Sequence, residues 1–177
     1  MQALYDQICE QAIGSYGLIT TKEAEALGIR RKDLGEWVRL GRLERLGHGV
    51  YRIEHYLPTE YDRYAEAVLL VGKDAALWGE SVLAMHNLAL VNPLRVQVAT
   101  GRRVRKSLPK WIEVVKKTSN GEVDTFEGIP CQNLASVILE CRGRLMTERL
   151  LGAITDAAYR GLLRSSELEM LTREFKL

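Results

Sequence analysis

Arg30, Arg31 and Lys32 follow a Gly28-Ile29 pair and open a stretch with helical spacing. A guanidinium presents a planar fork of donors that can bond the O6 and N7 of guanine together, a contact worth about 1–3 kcal/mol of base discrimination. Arg31 is the strongest single candidate for that chemistry. Upstream, Thr20, Thr21 and Lys22 offer hydroxyls, backbone amides and an ammonium of the kind that meets phosphate at a helix start. Downstream, Arg39, Arg42, Arg45, His48 and Arg52 add cations suited to phosphate or minor-groove contact, which fixes position without reading sequence. A second basic run, with Arg102, Arg103, Arg105, Lys106 and Lys110, is a candidate contact for DNA or for a protein partner.

Other residue types invite different chemistry and fit it less well. Glu80, Ser81 and His86 contain a nucleophile and a base, but Glu80 and Ser81 stand at a helix start, where capping and the helix dipole account for them. His86 lies five residues past Ser81 on a different side of that helix. A metal-dependent nuclease needs carboxylates and a lysine converging on one face. Glu113 and Lys116 are three apart and point to opposite faces of a strand, while Glu113 and Lys117 share a face only at stretched spacing. Cys9, Cys131 and Cys141 are scattered and odd in number, so they offer neither a disulfide framework nor zinc spacing, and all three read as buried thiols. His48, His55 and His86 lack ligand-spaced neighbours. The sequence thus predicts no catalytic residue, no metal and no cofactor.

The elements that must position the cations are legible from local signals. Leu4, Ile8 and Ala12 repeat at helical spacing, and Gly17 sits where a left-handed C-cap falls. After a short extended Ile19, Thr20 and Glu23 form a capping box for a second helix running to Leu27. The Gly28-Ile29 turn joins it to a third, with Leu34, Trp37 and Val38 on one face and Arg31, Lys32, Gly35 and Arg39 on the other. Gly41 stops that helix. Leu43 to Leu46 and Val50 to Ile53 then read as two strands around Gly47-His48-Gly49. Three helices and a hairpin in this order define a winged helix-turn-helix over residues 1–56, ending in a linker from Glu54 to Pro58.

Residues 57–177 read as a second domain. A helix from about Glu60 to Val71 opens it, with Tyr61, Tyr64, Ala65, Val68 and Leu69 on one face. An apolar run from Ala75 to Trp78 and a helix from Glu80 to about Leu88 follow. Strands are expected in the alternating Leu94, Val96, Val98, at Ile112 to Val115, and at Val123 to Phe126 and Ile129 to Cys131 around a Glu127-Gly128 turn. Asn133 caps a helix with Leu134, Val137, Ile138 and Cys141 facing inward. Thr147 to about Gly161 and a last helix capped by Ser166 complete the chain. The fold class is α+β: a winged helix-turn-helix followed by a small mixed sheet packed with helices.

The 177 residues, 46% hydrophobic and 27% charged, have the composition of a folded globular chain. No apolar run approaches the roughly 20 residues of a membrane span. Met1 to Ser15 carries Asp6 and Glu10 without a basic start, so no signal peptide is expected and the reading is cytoplasmic, with no membrane partner. The net charge of +2 conceals two basic blocks. Between Gly28 and Arg52 seven Lys and Arg face three acids; between Arg95 and Lys117 eight face Glu113 alone. Their natural counterparts are phosphate backbones or an acidic protein surface.

The stretch GLITTKEAEALGIRRKDLGEWVRLGRLERLGHGVYRI resembles the N-terminal winged helix of the AbiEi-type antitoxins of type IV toxin–antitoxin pairs. WGESVLAMHNL, GRRVRK, EGIPCQNLASVILEC and DAAYRGLL resemble that family's C-terminal domain, so the resemblance runs through nearly the whole chain. It implies a protein that binds double-stranded operator DNA to repress its own two-gene operon and that counters a nucleotidyltransferase-like toxin encoded beside it. Where the family commonly has a Ser or Thr cap before helix three, Arg30 and Arg31 stand here, leaving the helix to begin at either. The competing reading is a solitary winged-helix regulator whose C-terminal domain dimerises or senses a ligand.

Overall fold

The computed structural model describes residues 2–116 and 122–176, and the chain divides into two compact units: Met1–Lys73 with Val104–Leu108, and Asp74–Arg103 with Pro109–Leu177.

The first unit orders α1 (Gln2–Ile13), β1 (Leu18–Thr20), α2 (Thr21–Ala26), α3 (Arg31–Arg39), β2 (Leu43–Gly47), β3 (Val50–Ile53) and α4 (Asp62–Val71). The expected capping box is present: Glu23 N–H donates to Thr20 Oγ1 at 3.2 Å, and Thr20 N–H donates back to Glu23 Oε2 at 2.7 Å. Gly28 adopts φ 78° in the turn between α2 and α3. Ile8, Ala12, Ala24, Leu34 and Trp37 from the helices and Ile29 from the turn between α2 and α3 meet Ile19, Leu43, Tyr51 and Ile53 from the sheet in one core. Tyr5 packs edge-on to Trp37 at 5.3 Å between centroids, and its hydroxyl donates to the Arg42 carbonyl at 3.0 Å. Cys9 is half-buried at the edge of this core rather than enclosed as expected.

The extended Ile19 is the middle of a strand. β1 pairs antiparallel with β3, which pairs antiparallel with β2, in the order β1-β3-β2. Gly17, at φ 67°, admits no side chain before β1, because a Cβ there would stand 2.4 Å from the Tyr56 ring. α4, read from sequence as the opening of the second domain, groups with the first unit. It buries Asp62, Ala65, Ala67, Val68, Leu70 and Val71, a wider face than the pattern through Tyr61 and Leu69 suggested.

The second unit holds β4 (Ala76–Leu77), α5 (Glu80–Met85), β5 (Val96–Thr100), β6 (Ile112–Lys116), β7 (Val123–Phe126), β8 (Ile129–Gln132), α6 (Leu134–Glu140), α7 (Thr147–Tyr159) and α8 (Ser165–Phe175). Its sheet is mixed, in the order β6-β5-β4-β8-β7, with β4 and β8 parallel, β5 and β6 parallel, and the other pairs antiparallel. The α+β architecture therefore matches the expectation. The sheet's centre is the two-residue β4, cut from the apolar run Ala75 to Trp78 that showed no period, with β5 on one side and β8 on the other.

Three local expectations need correction. Leu94 is 94% exposed, since β5 starts only at Val96. α5 stops at Met85, where Asn87, Ala89 and Leu90 turn the chain through positive φ. The last helix is closed by Glu167, whose carboxylate accepts the Arg164 N–H at 2.7 Å, and Ser166 lies inside it. Asn133 does cap α6, accepting from Ser136 N–H at 3.0 Å. Among the described residues no helix is long and apolar enough to cross a membrane.

Candidate nucleic-acid interface

The N-terminus of α2, the N-terminus of α3 and the wing converge on one cleft of about 380 Å³. The capping box fixes where α2 begins, so Thr20, Thr21 and Lys22 stand at its positive end. The Thr21 N–H donates to the Gly49 carbonyl at 2.9 Å, which ties that helix start to the tip of the wing. Arg31 enters from α3, and Arg45 and His48 from the hairpin, so six of the sequence candidates line this cleft.

The first residue of α3 is Arg31, which settles the register left open by the two arginines. Arg30 occupies the cap position, where its backbone N–H and guanidinium both donate to Asp33. That hydrogen bonding holds the Asp33 carboxyl below the usual carboxylate range. Arg39 does the same to Glu36, donating from Nε at 3.1 Å and Nη2 at 2.6 Å. Arg30, Lys32 and Arg39 are exposed on α3 outside the cleft.

Two candidates lie elsewhere. Arg42 sets its guanidinium over the Tyr5 ring, 5.1 Å from the centroid, on the α1 side of the domain. Burial pushes the Tyr5 hydroxyl up to about 12, so it stays a neutral donor. Arg52 donates to Glu66 of α4 at 2.8 Å, with side chains only 24% and 15% exposed. The reason is strand parity: the register sets Arg45 opposite Tyr51 and Arg52 opposite Glu44, so the two arginines leave opposite faces of the wing. Arg45 and core-facing Tyr51 look toward the helices, whereas Arg52 looks toward α4.

Sequence reasoning missed five members of the cleft: Glu25, Leu69 and the hairpin residues Gly49, Val50 and Tyr51. Glu25 accepts from Arg31 Nε at 2.8 Å. Opposite charges flanking the Gly28 turn were the available signal. Leu69 had none, because its place depends on α4 packing beside the wing.

The second basic run is not part of this cleft. Arg102 donates to Asp74 at 2.8 Å, and Lys106 is half-buried with its Nζ 3.4 Å from where a Cβ on Gly72 would stand. Arg103, Arg105 and Lys110 are exposed and make no ion pair among the described residues. Lys117, counted in the same basic block, lies outside the described residues.

The residues whose types suit nucleophilic catalysis are separately engaged. Ser81 is fully buried and its Oγ accepts from the Gln97 N–H at 2.8 Å. His86 packs on the Phe126 ring at 4.1 Å, and burial, reinforced by the Arg160 charge, pushes its imidazole down to about 4. Burial raises the Cys131 and Cys141 thiols to about 11. No cluster of three His, Cys, Asp or Glu able to hold a metal occurs among the described residues.

Residues 10–53 match a family model described as a transcriptional regulator, AbiEi antitoxin. The matched span runs from α1 through β3 and so contains every cleft residue except Leu69. No curated protein matches the chain. The first unit thus carries a winged-helix domain similar to a regulatory, antitoxin-type family.

Proposed function

We propose that the chain is a DNA-binding regulator that represses its own operon and serves as the antitoxin to a nucleotidyltransferase-like toxin encoded beside it. The observation that carries the DNA half is the cleft, in which three separate elements contribute Thr20, Thr21, Lys22, Arg31, Arg45 and His48. In helix-turn-helix proteins the second helix of the pair enters the major groove with its N-terminal residues at base edges. By that geometry Arg31 and Lys32 face the bases, the start of α2 meets a phosphate, and the wing follows the flanking backbone. Arg52 and Arg42 hold the domain together instead.

The antitoxin half is supported by the matched family and by the resemblance of the C-terminal segments. The match ends at residue 53, and this favours keeping a solitary regulator as the second reading. Fluorescence anisotropy with a duplex from upstream of the operon tests the first half: Arg31→Ala with Lys32→Ala abolishes sequence-specific binding, and retained binding removes α3 from the base-reading role. Co-expression with the neighbouring gene tests the second: rescue of growth by the full chain supports the antitoxin, and toxicity without rescue leaves the solitary regulator.

A further inference from the structure

Helix α3 carries three arginines, Arg30 at its cap included, and all three meet a carboxylate, but not in the same way. Arg30 and Arg39 each spend Nε and Nη2 on an acid three residues away on the same helix, Asp33 and Glu36 respectively. Such pairs lie along the helix surface. Arg31 is bonded through Nε alone, and its partner, Glu25, belongs to the other helix of the motif. Both terminal amino groups of Arg31 are left without a hydrogen bond among the described residues. Only this arginine of α3 lines the cleft, and Glu25 lines it too.

We propose that Glu25 is a positioning residue that presents the free terminal fork of Arg31 to a guanine in the major groove, and that its negative charge disfavours docking on phosphate alone. The inference rests on the DNA-binding reading above and adds to it which base is sought and how non-specific binding is held down. Anchoring Nε removes rotamer freedom from a long side chain before binding, so less ordering cost falls on the complex. The end-on pair of Nη groups then has the spacing of guanine O6 and N7. A phosphate approaching the same arginine meets the Glu25 carboxylate beside it. Specificity is a difference between two affinities, and a repulsive group near the reader widens it.

The test uses the full-length chain and a randomised duplex library, selected by repeated binding and sequenced. Wild-type protein enriches a motif with a fixed guanine, and replacing that guanine by 7-deazaguanine, which lacks the N7 acceptor, weakens binding by about tenfold. Arg31→Ala abolishes that penalty. Glu25→Ala shrinks it several-fold while binding to poly(dA-dT) tightens, two changes of opposite sign that a merely structural role does not produce. Glu25→Gln keeps an acceptor for Nε and recovers part of the guanine preference while retaining the tighter non-specific binding. Circular dichroism of both variants, at an exposed site on α2, verifies folding. An enriched motif whose 7-deazaguanine penalty is unchanged in Glu25→Ala overturns the inference and leaves DNA binding standing. Failure to enrich any duplex overturns the DNA reading itself.

Discussion

His86 is 5% exposed and packs at a 50° tilt against Phe126, so protonating it means placing a charge in a buried site beside the Arg160 charge. Its folded value of about 4 lies below the ordinary 6.5. Between those two values the unfolded chain takes up a proton that the folded chain refuses. The stability linked to this group is therefore complete above pH 6.5 and is lost as pH falls toward 4, by about 3 kcal/mol in all. His86→Phe flattens that part of the profile, and urea unfolding of both proteins at about pH 7 and about pH 4.5 measures the difference. Parallel profiles assign the acid sensitivity to other groups. A second contrast at this scale separates two arginines of one hairpin. Arg45→Ala lowers the slope of log K for DNA against log salt by about 0.9, one phosphate contact. Arg52→Met leaves that slope alone and destabilises the fold by about 2 kcal/mol, because Glu66 loses its partner in a half-buried site. Composition could not separate them, since both are arginines in one basic block. Their seven-residue spacing could not either, because the turn intervenes; only the cross-strand register does.

α4 shows why some elements were legible and others not. α1, α2, α3 and the hairpin announce themselves through caps, glycines and period, signals carried by residues a few positions apart. β1 has three residues and acquires its identity only by pairing with β3, thirty or more positions on. β4, two residues long, is a strand only because β5 and β8 flank it. α4 was recognised as a helix, but its partner was not, since an apolar face does not name what covers it. That partner is the wing: Arg52 reaches Glu66, and a Cβ on Gly47 would stand 2.5 Å from Leu70 Cδ2. Gly47→Ala consequently overpacks the contact between β2 and α4, at a cost of about 1–3 kcal/mol. In a double-mutant cycle with Leu70→Ala the two costs are less than additive, because the shorter side chain leaves room for the new methyl. Strict additivity in thermal unfolding detaches the wing from α4. The consequence for function is that the wing's position depends on Glu66 and Leu70, which the sequence alone placed in the second domain.

At the scale of the whole molecule, the two basic blocks have different standing. The first supplies Arg31 and Arg45 to a cleft that Lys22 of α2 and His48 of the wing also line, and the matched family covers that part of the chain. The second divides: Arg102 and Arg103 fall in one compact unit and Val104–Leu108 in the other, with Arg102 held by Asp74. A charge run in sequence says that a field exists, not where its members end up, which is why one block became a candidate site and the other did not. Like charges at this density speed encounter with any polyanion, while only those that touch phosphate displace counterions and steepen the salt dependence. Salt titration separates these roles. In full-length protein with Arg102, Arg103, Arg105 and Lys106 changed to Ala, the salt slope for the selected duplex stays at the wild-type value, because the cations of the cleft are intact. The association rate at low salt falls, since part of the steering field is gone. Should the slope itself drop by about 0.9 for each phosphate no longer neutralised, the loop belongs to the DNA interface and the cleft is only part of it.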